Sequence, residues 1–315
     1  MTGRILVTGA TGFVGSRLVN HLADTGFAVI AMSRKELKGP FKSIQVQSLS
    51  NHQFSEHEFA DVSAIIHCAA RVHIMKESAG DPLAEFRAVN VDGTLNLARQ
   101  AASAGVKRFV FISSIKVNGE QTHCGKPFTP DDAPSPEDAY GVSKFEAEHG
   151  LKELSAETGM EVVIIRPPLI YGPGVKGNFR SMATLIERGV PLPLGAIHNK
   201  RSMCALDNLV DLITACIDHP AAANQVFLAG DGEDLSTTEL LHKVAKAKGK
   251  TAHLIPVPAS ILSICASLVG QKAVATRLLG SLQVDVTKAR NLLGWEPPLS
   301  TAEGLRRCFD SGDLP

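Results

Sequence analysis

A chain of 315 residues is longer than one compact core usually needs, so a larger and a smaller lobe with a cleft between them are expected. Its 32 basic and 32 acidic residues cancel, which removes the overall electrostatic footprint of a nucleic-acid binder or of a protein drawn to an acidic membrane. The cysteines, Cys68, Cys124, Cys204, Cys216, Cys265 and Cys308, are scattered without C-x-x-C spacing. No metal site is expected from them, and they read as reduced, mostly buried thiols of a cytoplasmic protein.

The N-terminus runs straight into an apolar strand, Arg4-Ile5-Leu6-Val7-Thr8, without the charged and apolar regions of a signal peptide. Short apolar runs at 5–7, 28–32, 64–67, 109–112 and 162–165 alternate with helical patterns or loops. That alternation predicts an α/β fold with a doubly wound parallel sheet, and the nearly continuous apolar character of the strands predicts helices on both faces.

Directly after the first strand comes Gly9-Ala10-Thr11-Gly12-Phe13-Val14-Gly15, opening a helix over 14–23. Glycines there allow a tight turn and close backbone approach to a pyrophosphate, and the helix start offers amide donors and a favourable dipole. Gly9, Thr11, Gly12, Phe13, Val14 and Gly15 are therefore expected to hold a dinucleotide. After the second strand stand Ser33-Arg34-Lys35, where an acid would hold the ribose hydroxyls of NAD and a cation the 2′-phosphate of NADP. A guanidinium suits phosphate, so Ser33 and Arg34 favour NADP(H), with NAD(H) possible.

The strand Phe109-Val110-Phe111-Ile112 ends in two hydroxyls, Ser113 and Ser114. Further on, Tyr140-Gly141-Val142-Ser143-Lys144 sets a phenol and an ammonium on one helix face. A phenol exchanges protons poorly near neutrality unless a positive charge favours its anion, and Lys144 supplies one. Ser114, Tyr140 and Lys144 are the expected catalytic group, with Ser114 polarising the reacting oxygen.

After Arg166 the pattern changes to a loop-rich stretch punctuated by Pro167, Pro168, Gly172, Pro173, Gly174 and Gly177. The division expected is 1–166 for nucleotide binding and 167–315 mainly for substrate, with a helix over 207–219 and a strand over 225–229, elements near 205–230 returning to the first domain. The apolar stretch 255–269 is broken by Pro256 and Pro258 and falls short of the roughly 20 residues that span a bilayer. It reads as a buried or dimer-facing helix, with no stable membrane insertion. The tail after Asp310 is expected to fray.

Taken together, these motifs resemble the extended short-chain dehydrogenases, the NAD-dependent epimerase/dehydratase family. The glycine spacing, His67-Cys68-Ala69-Ala70, Asn90-Val91-Asp92-Gly93-Thr94, Arg166-Pro167-Pro168-Leu169-Ile170-Tyr171-Gly172 and Leu293-Gly294-Trp295-Glu296-Pro297 carry the resemblance across the chain. It implies a Rossmann sheet with a smaller α/β substrate domain. It also implies cofactor contacts at Cys68, Ala69, Ala70, Asn90, Ile112, Tyr140, Lys144 and Pro167, and substrate contacts at Ser114, Lys116, Asn178 and Arg201. A UDP-sugar substrate and a homodimer follow from the same likeness.

Family 4,6-dehydratases carry Asp-Glu after the catalytic hydroxyl, because eliminating water needs a further acid and base. This chain has Ile115-Lys116, which disfavours dehydration. Two reactions at C4 remain: reduction of a UDP-4-keto-6-deoxy sugar and epimerisation of a UDP-sugar. Ser33-Arg34, Leu169 where similar epimerases carry Asn, and a segment 278–285 resembling UDP-4-keto-6-deoxy-N-acetylglucosamine reductases put reduction slightly ahead.

Overall fold

The computed structural model describes residues 3–72, 81–268 and 270–309; the tail after Asp310, expected to fray, lies outside them. Strand β1 (Arg4–Thr8) leads into α1 (Phe13–Asp24), followed by β2 (Val29–Ser33), β3 (Lys42–Gln45), α2 (Glu56–Phe59) and β4 (Val62–His67). Next come α3 (Pro82–Arg87), a π-helical turn (Ala88–Asp92), α4 (Gly93–Ser103), β5 (Arg108–Ile112), α5 (Ala139–Thr158) and β6 (Glu161–Arg166). The chain continues through β7 (Leu169–Tyr171), α6 (Asn178–Glu187), β8 (Met203–Ala205), α7 (Leu206–Ala215) and β9 (Val226–Leu228). Helices α8 (Thr237–Ala247), α9 (Ala259–Leu268), α10 (Lys272–Leu279), α11 (Thr287–Leu293) and α12 (Thr301–Arg307) close it.

Seven strands form one parallel sheet in the order β3-β2-β1-β4-β5-β6-β9. The order reverses between β1 and β4, which opens a crevice at their carboxyl ends where open α/β sheets bind ligands. Alternate side chains pack on opposite faces of the sheet. Ile5, Val7, Ile66 and Val110 meet Leu18, Leu22 of α1 and Leu209, Ile213 of α7. Leu6, Ile30, Ile65 and Phe109 meet Leu97 and Ala101 of α4 and Ala147 and Leu151 of α5. Burying both faces this completely is why the strands read as unbroken apolar runs rather than as alternation.

A separate parallel pair, β7 with β8, carries a second core in which Tyr171, Phe179, Met203 and Leu241 pack together. The strand expected over 225–229 is β9, the edge of the large sheet. Helix α9, read from its composition as buried or dimer-facing, has no buried residue, so it is not part of the core of this chain. Cys124 and Cys265 are likewise exposed rather than buried.

Candidate active site

The loop after β1 turns at Gly9, whose φ is +65° and whose place a Cβ could not share, since it would lie 2.7 Å from the Ala69 nitrogen. The β1 and β4 exits thus touch backbone to backbone. Gly12 caps α1 without any side-chain hydrogen bond, and the first turn of α1 has no acidic residue. Its amides at Phe13 and Val14 therefore face the crevice as donors for an anion, which fits the pyrophosphate of a dinucleotide. Thr11 and Gly12 are exposed beside them, and Phe13 and Val14 are half-buried.

Beyond β4, half-buried Cys68, Ala69 and Ala70 border the same crevice. Burial raises the Cys68 thiol to about 12, so it is an inert neutral lining. Beneath it His67 links Thr8 and Thr94 through hydrogen bonds of 2.8 and 2.9 Å. Burial, then the nearby Lys144, hold its pKa down to about 3, so this imidazole is neutral and structural. Asn90, in the π-helical turn, accepts from the Arg71 amide and donates to the Arg71 carbonyl and to Ser143 Oγ. Its amide is committed to clamping the β4 exit onto α5.

Helix α5 starts where Asp138 accepts from the Gly141 amide at 2.7 Å and stops at Gly159, in left-handed conformation. Gly141 is required by its neighbours: a Cβ there would lie 2.9 Å from the Lys116 carbonyl. This close approach sets the segment after β5 against the first turn of α5, bringing Ser114 and Lys116 to the helix end that carries Tyr140. One turn farther, fully buried Lys144 lies 4.2 Å from the Phe111 ring centroid. Burial lowers its pKa to about 7, although Glu148 attracts its proton. Tyr140, edge-on to Phe86, is pushed above the ordinary phenol range by burial and by the Asp138 carboxylate.

The helix is fixed to the sheet by a buried network. Ser113 Oγ donates to Glu148 at 2.5 Å, Arg166 bonds both Glu148 oxygens at 2.9 and 2.6 Å, and Arg166 also donates to Asn118 at 2.9 Å. Ile115 N donates to the Pro167 carbonyl at 3.0 Å, so the β5 and β6 exits move as one. Ile112 and Pro167 are both buried there.

Ser114 is half-buried and caps the short turn Ile115–Val117, its oxygen accepting a long 3.3 Å bond from the Lys116 amide. That leaves its O–H available to a ligand. Lys116 pairs with Glu120 at 2.7 Å and with Asp138; burial works against its charge, but the two carboxylates hold its pKa above the usual lysine value. Arg201 donates to the Gly280 carbonyl at 3.1 Å. Burial, then repulsion from Arg277, lower its pKa, while Glu120 acts against them. The two arginines and Glu120 therefore share one electrostatic field, and a doubly charged diphosphate would relieve the arginine repulsion.

A family model described as the NAD dependent epimerase/dehydratase family matches residues 5–230. The chain belongs to that family. A UDP-glucose 4-epimerase of Vibrio cholerae is 46% identical over 310 residues, covering 98% of this chain and 94% of the relative. Among solved structures, the UDP-glucose 4-epimerase of Thermotoga maritima, with UDP-glucose, superposes with TM-score 0.76 at 24% identity over 97% of each chain. The UDP-glucuronic acid 4-epimerase of Bacillus cereus, in complex with NAD, gives 0.77 at 20% identity over 96% of each chain. These structures share the fold.

Within this epimerase/dehydratase fold, the sequence-derived group Ser114, Tyr140 and Lys144 sits on the strand end and helix that frame the crevice, with the glycine loop on its other side. Ser33 is buried and its hydroxyl donates to the Lys35 carbonyl, so it offers little to a ribose. Arg34 is exposed beyond β2, its carbonyl bonded by Gln45 and Gln47 at 3.1 Å each. Asn178 is exposed at the start of α6. Sequence reasoning missed Glu120, Asp138 and Arg277. Only Asp138 carries a local signal, as an acid just before a helix.

Proposed function

We propose that the chain is a UDP-sugar 4-epimerase, interconverting the C4 configurations of a UDP-hexose or UDP-N-acetylhexosamine. The observation that carries this is the 46% identity to the Vibrio cholerae UDP-glucose 4-epimerase across 98% of the chain. Bound NAD would supply a place to which hydrogen leaves from C4 and from which it returns, so no cofactor is consumed. Tyr140 takes the proton of the C4 hydroxyl and later gives it back, Lys144 supplies the positive charge that makes its phenol acidic enough, and Ser114 holds the C4 oxygen. Arg201 and Arg277 grip the diphosphate.

Reduction of a UDP-4-keto-6-deoxy sugar, put slightly ahead by the sequence, is the second reading, and exposed Arg34 is the observation that favours it. The relatives described above are epimerases, and the Bacillus cereus neighbour holds NAD. An NADP(H) preference has no support among them. On this reading the enzyme works in the cytoplasm as a homodimer, the state that the family resemblance implies.

Incubating the purified protein with UDP-glucose or UDP-N-acetylglucosamine, without added cofactor, tests the reading. Appearance of the C4 epimer, with NAD released on denaturation, is expected. Absence of either product, together with stoichiometric NADPH loss on a UDP-4-keto-6-deoxy-hexosamine, would replace it with the ketoreductase.

A further inference from the structure

The neutral total of the chain conceals a strong asymmetry. Residues 240–284 contain Lys243, Lys246, Lys248, Lys250, Lys272 and Arg277 and neither aspartate nor glutamate. The rest of the chain is correspondingly acidic. Lys243 and Lys248 are paired with Glu233 and Glu187, whereas Lys246, Lys250, Lys272 and Arg277 have no carboxylate partner among the described residues. This basic segment contains α9 and α10, which pack on each other.

Helix α9 buries none of its residues, although seven of its ten are apolar. Ile261, Ile264 and Leu268, at helical spacing on one face, are 50%, 61% and 83% exposed. Ile255 before the helix and Val274 on α10 are exposed as well. Lys272 follows Leu268 across the turn that joins the two helices, where the Gln271 amide bonds the Ala266 carbonyl at 2.7 Å. Single exposed apolar residues are ordinary, but a row of them on one helix face is a surface awaiting cover.

We propose that the α9–α10 pair docks the enzyme on the surface of an anionic phospholipid bilayer. No helix among the described residues is long and apolar enough to cross a membrane, so α9 would lie along the interface, its isoleucines and Leu268 entering the headgroup boundary. Lys272, at the start of α10 beside it, meets the phospholipid charge, and the absence of any acid from the segment removes the repulsion that would oppose it. A second copy of the chain is a poor cover. Two-fold pairing through this face would bring two acid-free basic segments together with no carboxylate to separate them.

Docking would also set the candidate cleft close to the membrane, because α10 carries Arg277, which shares the field of Arg201. The proposal is independent of which sugar is turned over.

Co-sedimentation with vesicles of equal parts phosphatidylglycerol and phosphatidylcholine, in about 0.1 M salt, tests it, with pure phosphatidylcholine vesicles as comparison. The full-length protein should pellet with the anionic vesicles alone. Ile264→Asp/Leu268→Asp should weaken that binding at least tenfold while melting and turnover of UDP-sugar in solution stay as in the wild type. Lys272→Glu should weaken it less and make the remaining binding less salt-sensitive. Failure to pellet with anionic vesicles, or equal pelleting of the double variant, overturns the proposal. So does light scattering in which the double substitution halves the mass of a wild type that ignores vesicles, because a second copy then covers the face. Vesicle binding is read without turnover, so it fails or stands separately from the epimerase reading.

Discussion

The Lys144 ammonium lies 4.2 Å from the centroid of the Phe111 ring. The ring face attracts the cation, yet burial dominates and brings its pKa from 10.5 to about 7. Between those values the unfolded chain binds a proton that the folded chain has given up, so folding stability rises with pH across that window. Below about pH 7 both states are protonated, and the full penalty for the buried charge is present. Lys144→Met should therefore stabilise the nucleotide-stripped protein, on the order of 4 kcal/mol at pH 6, and the gain should shrink as pH approaches 10. Urea unfolding of both proteins at pH 6 and 9.5 checks this. A gain that stays constant would contradict the depressed pKa.

Much of this site was legible in the sequence because its signals are local. The glycine loop announces itself by following an apolar strand and opening a helix, and Tyr140 and Lys144 announce a shared face by their spacing. Arg277 could not be found that way. Its relation to Arg201 is made by the fold, which brings segment 280–282 alongside residues 200–202 through bonds such as Leu282 N to the Lys200 carbonyl, 2.9 Å. Asn90's amide is also engaged by Arg71 and Ser143, partners that no linear pattern specifies. Composition alone did not place the apolar run of α9, because it is the same whether such residues face a core or the outside of the chain.

Tyr140→Phe removes only the phenolic oxygen and keeps the ring that packs edge-on against Phe86. Nucleotide content and melting temperature should therefore be preserved. Turnover should fall about a hundredfold or more, the usual scale for loss of a general acid or base. Comparison of initial rates on UDP-glucose measures it, and a near-wild-type rate would remove Tyr140 from proton transfer.

Glu148 and Arg166 form a pair that is almost wholly buried, with side-chain exposures of 1% and 2%. Glu148→Leu leaves the guanidinium without its carboxylate and should cost about 3–5 kcal/mol. Exchanging both, as Glu148→Leu/Arg166→Met, should recover much of that loss, because two compensated charges are replaced by apolar groups of similar size. Equilibrium unfolding of the wild type, the single and the double variant distinguishes these outcomes. A double variant no better than the single would mean that the Ser113 and Asn118 bonds, rather than the charge pair, hold α5 to the sheet.

Lys116 bears on the reaction through Asp138. That carboxylate caps the helix carrying Tyr140 and pushes its phenol upward, while Lys116 neutralises it from the segment after β5. The other charges near the phenol are Lys144 one turn along α5, Glu120 beside Lys116, and the Arg71–Glu85 pair against Phe86. In Lys116→Met, Asp138 and Glu120 lose their shared cation, and the local field becomes more negative. A more negative field disfavours tyrosinate, so the acid limb of the kcat/KM profile should move to higher pH by roughly 0.5–1 unit, and Lys116→Arg should restore it. Rate profiles from pH 5 to 10 read this directly. A lower rate with an unmoved limb would show that Lys116 acts on substrate binding alone, without passing through the phenol.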